Sequence, residues 1–202
     1  MPVLTQPKPP VAGERALAPL VVSRSSSDRL RNNMVHAERM VQIVNRTITV
    51  GASNRAEDWK KSGAELLITA VSERLSGRTW RRLNGTAGHT TKLQVLRDQA
   101  DQAIRSGCGN CGEQAAIGFV ELYDAGVRPI NYMELAAGGD HAFLIIGIVP
   151  NDNGLGSWPA NWGPDAVVCD PWARAAYPAS EIRARRGGGE TYSSFLRASP
   201  GG

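Results

Sequence analysis

The sequence contains few of the residues on which several classes of protein depend. Its 202 residues include only three cysteines. This odd number argues against the disulfide framework of small secreted domains and favours a reducing destination. No apolar run approaches the roughly 20 residues that a membrane helix needs. We therefore expect neither a disulfide scaffold nor a membrane span.

Acidic residues are nearly absent from the start of the chain. The first 24 residues contain five prolines and a single acidic residue, Glu14, and such a composition buries too little apolar surface to fold. The apolar stretch at 16–22 is short and interrupted by a proline, so it lacks the core of a secretory signal peptide. We expect a disordered tail over residues 1–24, interpreted as a signal for secretion by a route other than the general secretory one.

The remaining composition is that of an ordinary globular protein. Hydrophobic residues make up 42% of the chain and charged residues 21%, which at this length fits one well-buried core. The net charge of +4 is spread along the chain rather than gathered into one basic tract, so nucleic acid is not the expected partner. We expect a single domain over residues 25–198.

Helical periodicity dominates the first 125 residues. Apolar residues recur at helical spacing in four segments, with serines before the first segment and glycines at or beyond the ends of the others. For the fourth helix we predict Gly126 as the C-terminal cap. The four predicted helices run from the serines at 25–27 to about Asn45, from Glu57 to Leu75, from Thr91 to Ile104 and from Cys111 to about Asp124.

Strands are predicted in the last third of the chain, where three segments are rich in β-branched and aromatic residues. They run from Ile130 to Leu135, from His141 to Ile148 and from Ala166 to Asp170, and the last two are apolar enough to lie centrally in a sheet. Residues 151–164 contain glycines, prolines and two tryptophans, which predicts a loop near the site. The fold class is therefore α+β, with a helical N-terminal half followed by a small antiparallel sheet.

Cys111 lies where a glycine-rich turn runs into a helix of small residues. The start of a helix offers unpaired N–H groups and the positive end of the helix dipole, which stabilise a thiolate and can hold an oxyanion. We predict that Cys111 is nucleophilic, that Cys108 is structural, and that Glu113 and Gln114 serve the start of the helix. The segment reads Ser106-Gly107-Cys108-Gly109-Asn110-Cys111-Gly112-Glu113-Gln114-Ala115.

A histidine and a carboxylate follow on apolar strands. His141 stands at the start of one predicted strand and Asp170 at the end of another. A histidine within hydrogen-bond reach of a thiol can form an ion pair with it, and a carboxylate can fix the orientation of the imidazole. We therefore predict that Cys111, His141 and Asp170 converge as a catalytic triad.

Other side chains compete for two of these roles. The sequence has three histidines, and we predict that His36 and His89 lie on the surfaces of a helix and a turn, which favours His141 as the base. Strand alternation points Asp140 away from His141, so Asp140 is disfavoured as the orienting carboxylate. Asn161 is the alternative to Asp170 for that role.

Residues 105–175 resemble the papain-like and transglutaminase-like superfamily of cysteine enzymes, especially bacterial effectors and toxins that act as proteases or glutamine deamidases. Three segments carry the resemblance: Cys108-Gly109-Asn110-Cys111, Asp140-His141-Ala142-Phe143 and Val168-Cys169-Asp170-Pro171-Trp172. It implies a papain-like core in which Cys111 is the nucleophile, His141 the base and Asp170 the orienting residue. Residues 25–198 would then be the catalytic domain.

The resemblance also implies a reaction and a setting. Cys111 would attack a glutamine carboxamide or a peptide carbonyl of a protein substrate through a thioester, without a metal or another cofactor. The protein would be secreted into a target cell, with a cytoplasmic enzyme as the alternative. Candidates for oxyanion or substrate binding are Asn110, Gln102, Asn161 and Trp162, Gln102 being the glutamine nearest to the position where papain-like enzymes carry an oxyanion donor.

Two other functions fit the same cysteines. Cys108 and Cys111 form a C-x-x-C pair, which is typical of thioredoxin-like redox proteins, although the segment before it here is predicted helical rather than extended. A structural zinc ion could bind Cys108, Cys111, His141 and Cys169, which are suitable ligand types without a second closely spaced pair. A zinc-stabilised interaction module is therefore a further alternative.

Overall fold

The structure is a computed structural model that describes residues 25–65, 67–68, 91–136, 140–148, 159–187 and 190–200. Three sequence predictions lie wholly or partly outside these ranges: the tail at 1–24, the second half of the predicted second helix, and residues 151–158 of the predicted loop. His89 also lies outside them.

Sequence signals at the ends of the first and third helices are seen in the structure. Ser25 caps the first helix, where its hydroxyl accepts a hydrogen bond from the Asp28 N–H at 3.2 Å. Thr91 caps the third, which ends at Gly107 in the left-handed conformation, with φ of 65°. No helix in the described ranges is long and apolar enough to span a membrane. The helices are α1 (Ser26–Thr47), α2 (56–65), α3 (Lys92–Ser106), α4 (Cys111–Asp124) and α5 (Ile182–Arg186).

The strands form one antiparallel sheet in the order β4-β3-β2-β1-β5. The small antiparallel sheet of the predicted α+β fold is thus confirmed, and β2 and β3, the two most apolar strands, lie at and next to its centre. The sequence did not predict β4, β5 or α5. The strands are β1 (Ile130–Leu135), β2 (Ala142–Ile146), β3 (Val167–Asp170), β4 (Ala175–Pro178) and β5 (Tyr192–Ala198).

The sheet buries both of its faces, because alternate residues of β1, β2 and β3 contribute to two separate apolar clusters. On one face, Leu144 and Ile146 of β2 pack with residues of α1, α3 and α4. On the other, Phe143 and Ile145 pack with Trp162 and residues near α5. The central strands are therefore covered on both sides, which agrees with their nearly continuous apolar sequences.

A glycine brings α4 close to the sheet. A Cβ atom added at Gly118 would lie 2.9 Å from Leu144 Cδ1 and 3.2 Å from Met40 Cγ. Both distances are shorter than van der Waals contact, so only glycine allows α4 to lie this near both β2 and α1. This packing fixes the helix that begins with Cys111 against the strand that begins just after His141.

Candidate active site

The start of α4 presents Cys111 as its first residue. Asn110 is the N-cap, and the Glu113 carboxylate accepts a hydrogen bond from the Asn110 N–H at 3.0 Å, as the predicted helix-start role requires. The N–H groups of Cys111 and Gly112 belong to the first helical turn, which has no acceptors within the helix. The Cys111 thiol therefore lies at the positive end of the α4 dipole.

His141 and Asp170 are brought together by the pairing of two strands. Because β2 and β3 are antiparallel, with Leu144 opposite Cys169, the residue just before β2 lies beside the last residue of β3. The His141 Nε2 atom is 2.7 Å from Asp170 Oδ2, and both side chains are buried. The other carboxylate oxygen, Oδ1, accepts a hydrogen bond from the Ala173 N–H at 3.0 Å, which fixes the carboxylate plane.

The Cys111 thiol and the His141 imidazole line the same cleft. Burial alone would lower the pKa of His141, but hydrogen bonding to Asp170 and to Cys111 outweighs burial and raises the pKa to about 9. Because Asp170 occupies Nε2, Nδ1 is the ring nitrogen that remains for a second partner. Cys111 Sγ also lies 4.0 Å from the backbone carbonyl oxygen of Asp140, so this residue contributes its main chain rather than its carboxylate.

Asp170 is also paired with an arginine, which a glutamate holds in place. Arg186 Nη1 is 3.6 Å from Asp170 Oδ2, and Arg186 Nε is 3.1 Å from Glu190 Oε2. The Tyr192 hydroxyl donates to the same Glu190 oxygen at 2.7 Å. This arrangement lowers the pKa of Glu190 against the effect of its burial, so the carboxylate stays charged and holds Arg186 beside Asp170.

Two aromatic rings enclose the imidazole. The Trp172 ring meets His141 edge to face, with centroids 5.4 Å apart and planes at 69°, and the Phe143 ring is stacked at 5.9 Å and 25°. Together they keep water from the hydrogen bond between His141 and Asp170 and so strengthen it. No role for Trp172 was predicted from the sequence, although its place two residues after Asp170 was a signal for one.

A cleft of about 450 Å³ opens over the thiol and the imidazole. Its walls include Gln99 of α3 and Tyr132 of β1, whose hydroxyl donates to the Gly112 carbonyl at 3.1 Å. The carboxylates of Glu134 and Asp140 stand exposed at the same cleft. A substrate carbonyl entering here would meet the thiol, the imidazole and the start of α4 together.

Of the four residues predicted to bind the oxyanion or the substrate, Asn110 is the one that lines the cleft. Its side-chain oxygen accepts a hydrogen bond from the Ser53 hydroxyl at 3.0 Å. Gln102 lies on α3, but Gln99, one turn earlier, is the glutamine of that helix that lines the cleft.

Of the other two residues, only Trp162 belongs to the apolar cluster on the sheet face opposite α1, α3 and α4. Asn161 is exposed in a short 3₁₀ turn (Pro159–Asn161), and Asp170 rather than Asn161 contacts His141. Trp162 is fully buried, with its ring 5.4 Å from that of Tyr192. The prediction that Trp162 binds substrate is corrected, because its side chain has no exposed surface.

The remaining predictions concern His36 and the three cysteines. His36 was predicted on a helix surface but is buried in α1, where burial and Arg39 lower its pKa. The three cysteines, all in the described ranges, form no disulfide. Cys169 packs against α1, with Sγ 3.5 Å from the Ala37 carbonyl oxygen. Among the described residues, no group of three or more histidine, cysteine and acidic side chains is arranged to hold a metal ion.

Comparison of the chain with models of known protein families gave no match, and neither did comparison with curated proteins.

Proposed function

We propose that this protein is a cysteine hydrolase or acyltransferase that attacks a carboxamide or peptide carbonyl of a protein substrate. Cys111 is the nucleophile, His141 the general acid and base, and Asp170 the residue that orients His141. A papain-like or transglutaminase-like arrangement of the core belongs to the same proposal, since a helix that begins with the nucleophile packs on an antiparallel sheet that supplies the histidine and the carboxylate.

One observation carries the proposal: His141 is hydrogen-bonded to Asp170 at 2.7 Å and lines the same cleft as Cys111, which also raises the pKa of the imidazole. This is the geometry that nucleophilic catalysis by a thiol requires. A buried structural histidine needs no thiol at the mouth of a cleft, and a structural cysteine needs no imidazole beside it.

Acylation begins with attack on the substrate carbonyl. Cys111 Sγ forms a bond to the carbonyl carbon, and the π electron pair moves to the oxygen. The N–H groups at the start of α4 are placed to hold this oxyanion. When the carbonyl re-forms, the bond from carbon to nitrogen breaks. The His141 imidazolium then donates its Nδ1 proton to the departing nitrogen, which leaves ammonia from a glutamine or a new N-terminus from a peptide.

Deacylation consumes the resulting thioester. His141, now neutral, accepts a proton from an attacking water, whose oxygen bonds to the thioester carbon. Collapse of the second tetrahedral species breaks the bond from carbon to sulfur and releases a carboxylic acid. The thiolate and the imidazolium are thereby restored, and Asp170 keeps the imidazole oriented throughout.

Intact-mass spectrometry of candidate protein substrates tests the proposal. Deamidation replaces an amide NH₂ by OH, transamidation adds the amine supplied, and proteolysis gives two fragments, so each reaction has its own mass signature. We expect one of these changes with the unaltered protein and none with Cys111→Ala, which removes the sulfur while leaving the fold intact.

Cys108→Ser is the matched control, because Cys108 lies three residues away in the same turn and takes no part in the proposed chemistry. We expect this variant to keep both the activity and the labelling of Cys111 by iodoacetamide. If instead Cys108 proves the more reactive thiol and Cys111→Ala remains active, the redox function replaces the one proposed.

A further inference from the structure

The segment 50–58, which runs from just after α1 into the first turn of α2, is joined to the turn that carries the nucleophile. The Val50 N–H donates to the Gly107 carbonyl at 2.8 Å, and the Gly109 N–H donates to the Gly51 carbonyl at 3.1 Å. Gly51 and Cys108 thereby form an isolated parallel bridge. Two residues beyond this bridge on each side, Asn110 accepts the hydrogen bond from Ser53, so the segment reaches the N-cap of α4.

The same segment is joined to the ring that covers His141. The Trp172 indole N–H donates to Asn54 Oδ1 at 2.8 Å. The Arg55 guanidinium lies over the Trp172 ring, 5.1 Å from its centroid. Consecutive residues 53, 54 and 55 therefore contact the nucleophile turn on one side and the residue packed on the imidazole on the other.

Asp58 fixes the shape of the segment. This buried carboxylate accepts a hydrogen bond from the Ala52 N–H at 2.8 Å and pairs with Arg55 at 3.4 Å and with Arg174 at 3.2 Å. Gly51 has φ of +113°, and a Cβ atom there would lie 2.7 Å from Asp58 Cβ. The segment is consequently held in one conformation by Asp58 rather than left as an open loop.

We infer that residues 50–58 form a positioning segment that holds Cys111 and His141 in register. Resting on the proposed function, this inference assigns Ser53 and Asn54 as positioning residues that touch no substrate. The nucleophile comes from the start of α4 and the base from the edge of β2, and the segment ties the Asn110 cap of the first to the Trp172 ring packed on the second. Without these ties the thiol and the imidazole would each keep its own support while their mutual geometry loosened.

The test is the rate of iodoacetamide alkylation of Cys111 at neutral pH, which needs no substrate. The unaltered protein should react faster than His141→Gln, because the imidazole promotes attack by the thiol. In Ser53→Ala/Asn54→Ala we expect the rate to fall about tenfold or more, since small losses of alignment in a reacting pair have effects of this size. The rate should then approach that of His141→Gln.

Three further proteins make the result decisive. Asn54→Asp keeps an acceptor oxygen for Trp172 and should retain the reactivity, whereas Asn54→Ala should lose part of it. Lys60→Ala, exposed on α2, should change nothing. If the unaltered protein reacts faster than His141→Gln and the double variant reacts at the same rate as the unaltered protein, the inference is overturned while the proposed function stands. If the unaltered protein reacts no faster than His141→Gln, it is the proposed function that fails.

Discussion

The imidazole of His141 is protonated at neutral pH because its two hydrogen-bond partners outweigh its burial. An ordinary histidine has a pKa of about 6.5, whereas Asp170 and Cys111 raise that of His141 to about 9 although burial acts in the opposite direction. His141 thus places a positive charge beside Asp170 and at the cleft that Cys111 lines. Such a charge is what a thiol nucleophile needs from its neighbouring base.

Replacing Asp170 by asparagine should reverse the shift at His141. Asp170→Asn removes the negative charge and the charged acceptor but leaves the ring buried, so we expect the pKa of His141 to fall from about 9 to well below that value. An NMR titration of the His141 imidazole measures this directly. Unchanged titration in the variant would mean that Asp170 does not set the charge of His141.

The C-terminal ends of α3 and α4 each have a glycine with positive φ. Gly107 ends α3 with φ of 65°, and a Cβ atom there would lie 2.6 Å from Thr49 Oγ1. Gly126, just past α4, has φ of 75° and no atom within 4 Å of the position of its Cβ. The two sites therefore share the backbone penalty of an added side chain but differ in the space for it.

We expect Gly107→Ala to lower the free energy of unfolding more than Gly126→Ala does. The second change should cost about 1 kcal/mol from backbone strain, and the first about 1 to 3 kcal/mol more from crowding against Thr49. Urea denaturation of the two variants gives both values. Equal losses would show that α3 and the segment before α2 are not in close contact.

The elements that the sequence predicted are those with strong local signals. Caps and apolar spacing located α1, α3 and α4, and the two most apolar strands proved to be β2 and β3. The short β4 and the serine-containing β5 were missed, because their strand conformation depends on pairing with β3 and β1 rather than on their own residues.

The same distinction holds for the site. A thiol at a helix start, a histidine before a strand and an aspartate at a strand end are local patterns, and the structure brings these three residues together. The roles of Arg186 and of the 50–58 segment depend on contacts between residues far apart in the sequence, which no local pattern encodes. Trp162 was misplaced because an aromatic residue in a predicted loop gives no sign of whether it faces a cleft or a core.

For the molecule as a whole, the His141 ion pair links stability to pH. The folded pKa of about 9 lies above the unfolded value of about 6.5, so the folded state binds the proton more tightly. The stabilisation from this group is therefore fully present below about pH 6.5 and is lost as the pH rises through about 9.

We expect the unaltered protein to lose stability relative to His141→Gln across this range, by an amount on the order of 3 kcal/mol. Taking the difference between the two proteins removes contributions from other titrating groups. Urea denaturation near pH 6 and near pH 10 provides the comparison. A constant difference would mean that the His141 proton is bound equally well in the folded and unfolded states.

The ultraviolet absorbance of the Cys111 thiolate tests the central claim most directly. It should be recorded against pH as the difference between the unaltered protein and Cys111→Ser, and again in a His141→Gln background. A thiolate paired with the His141 imidazolium predicts absorbance at neutral pH that is lost when His141 is replaced. Absorbance at that pH that is equal in the two backgrounds would contradict the account.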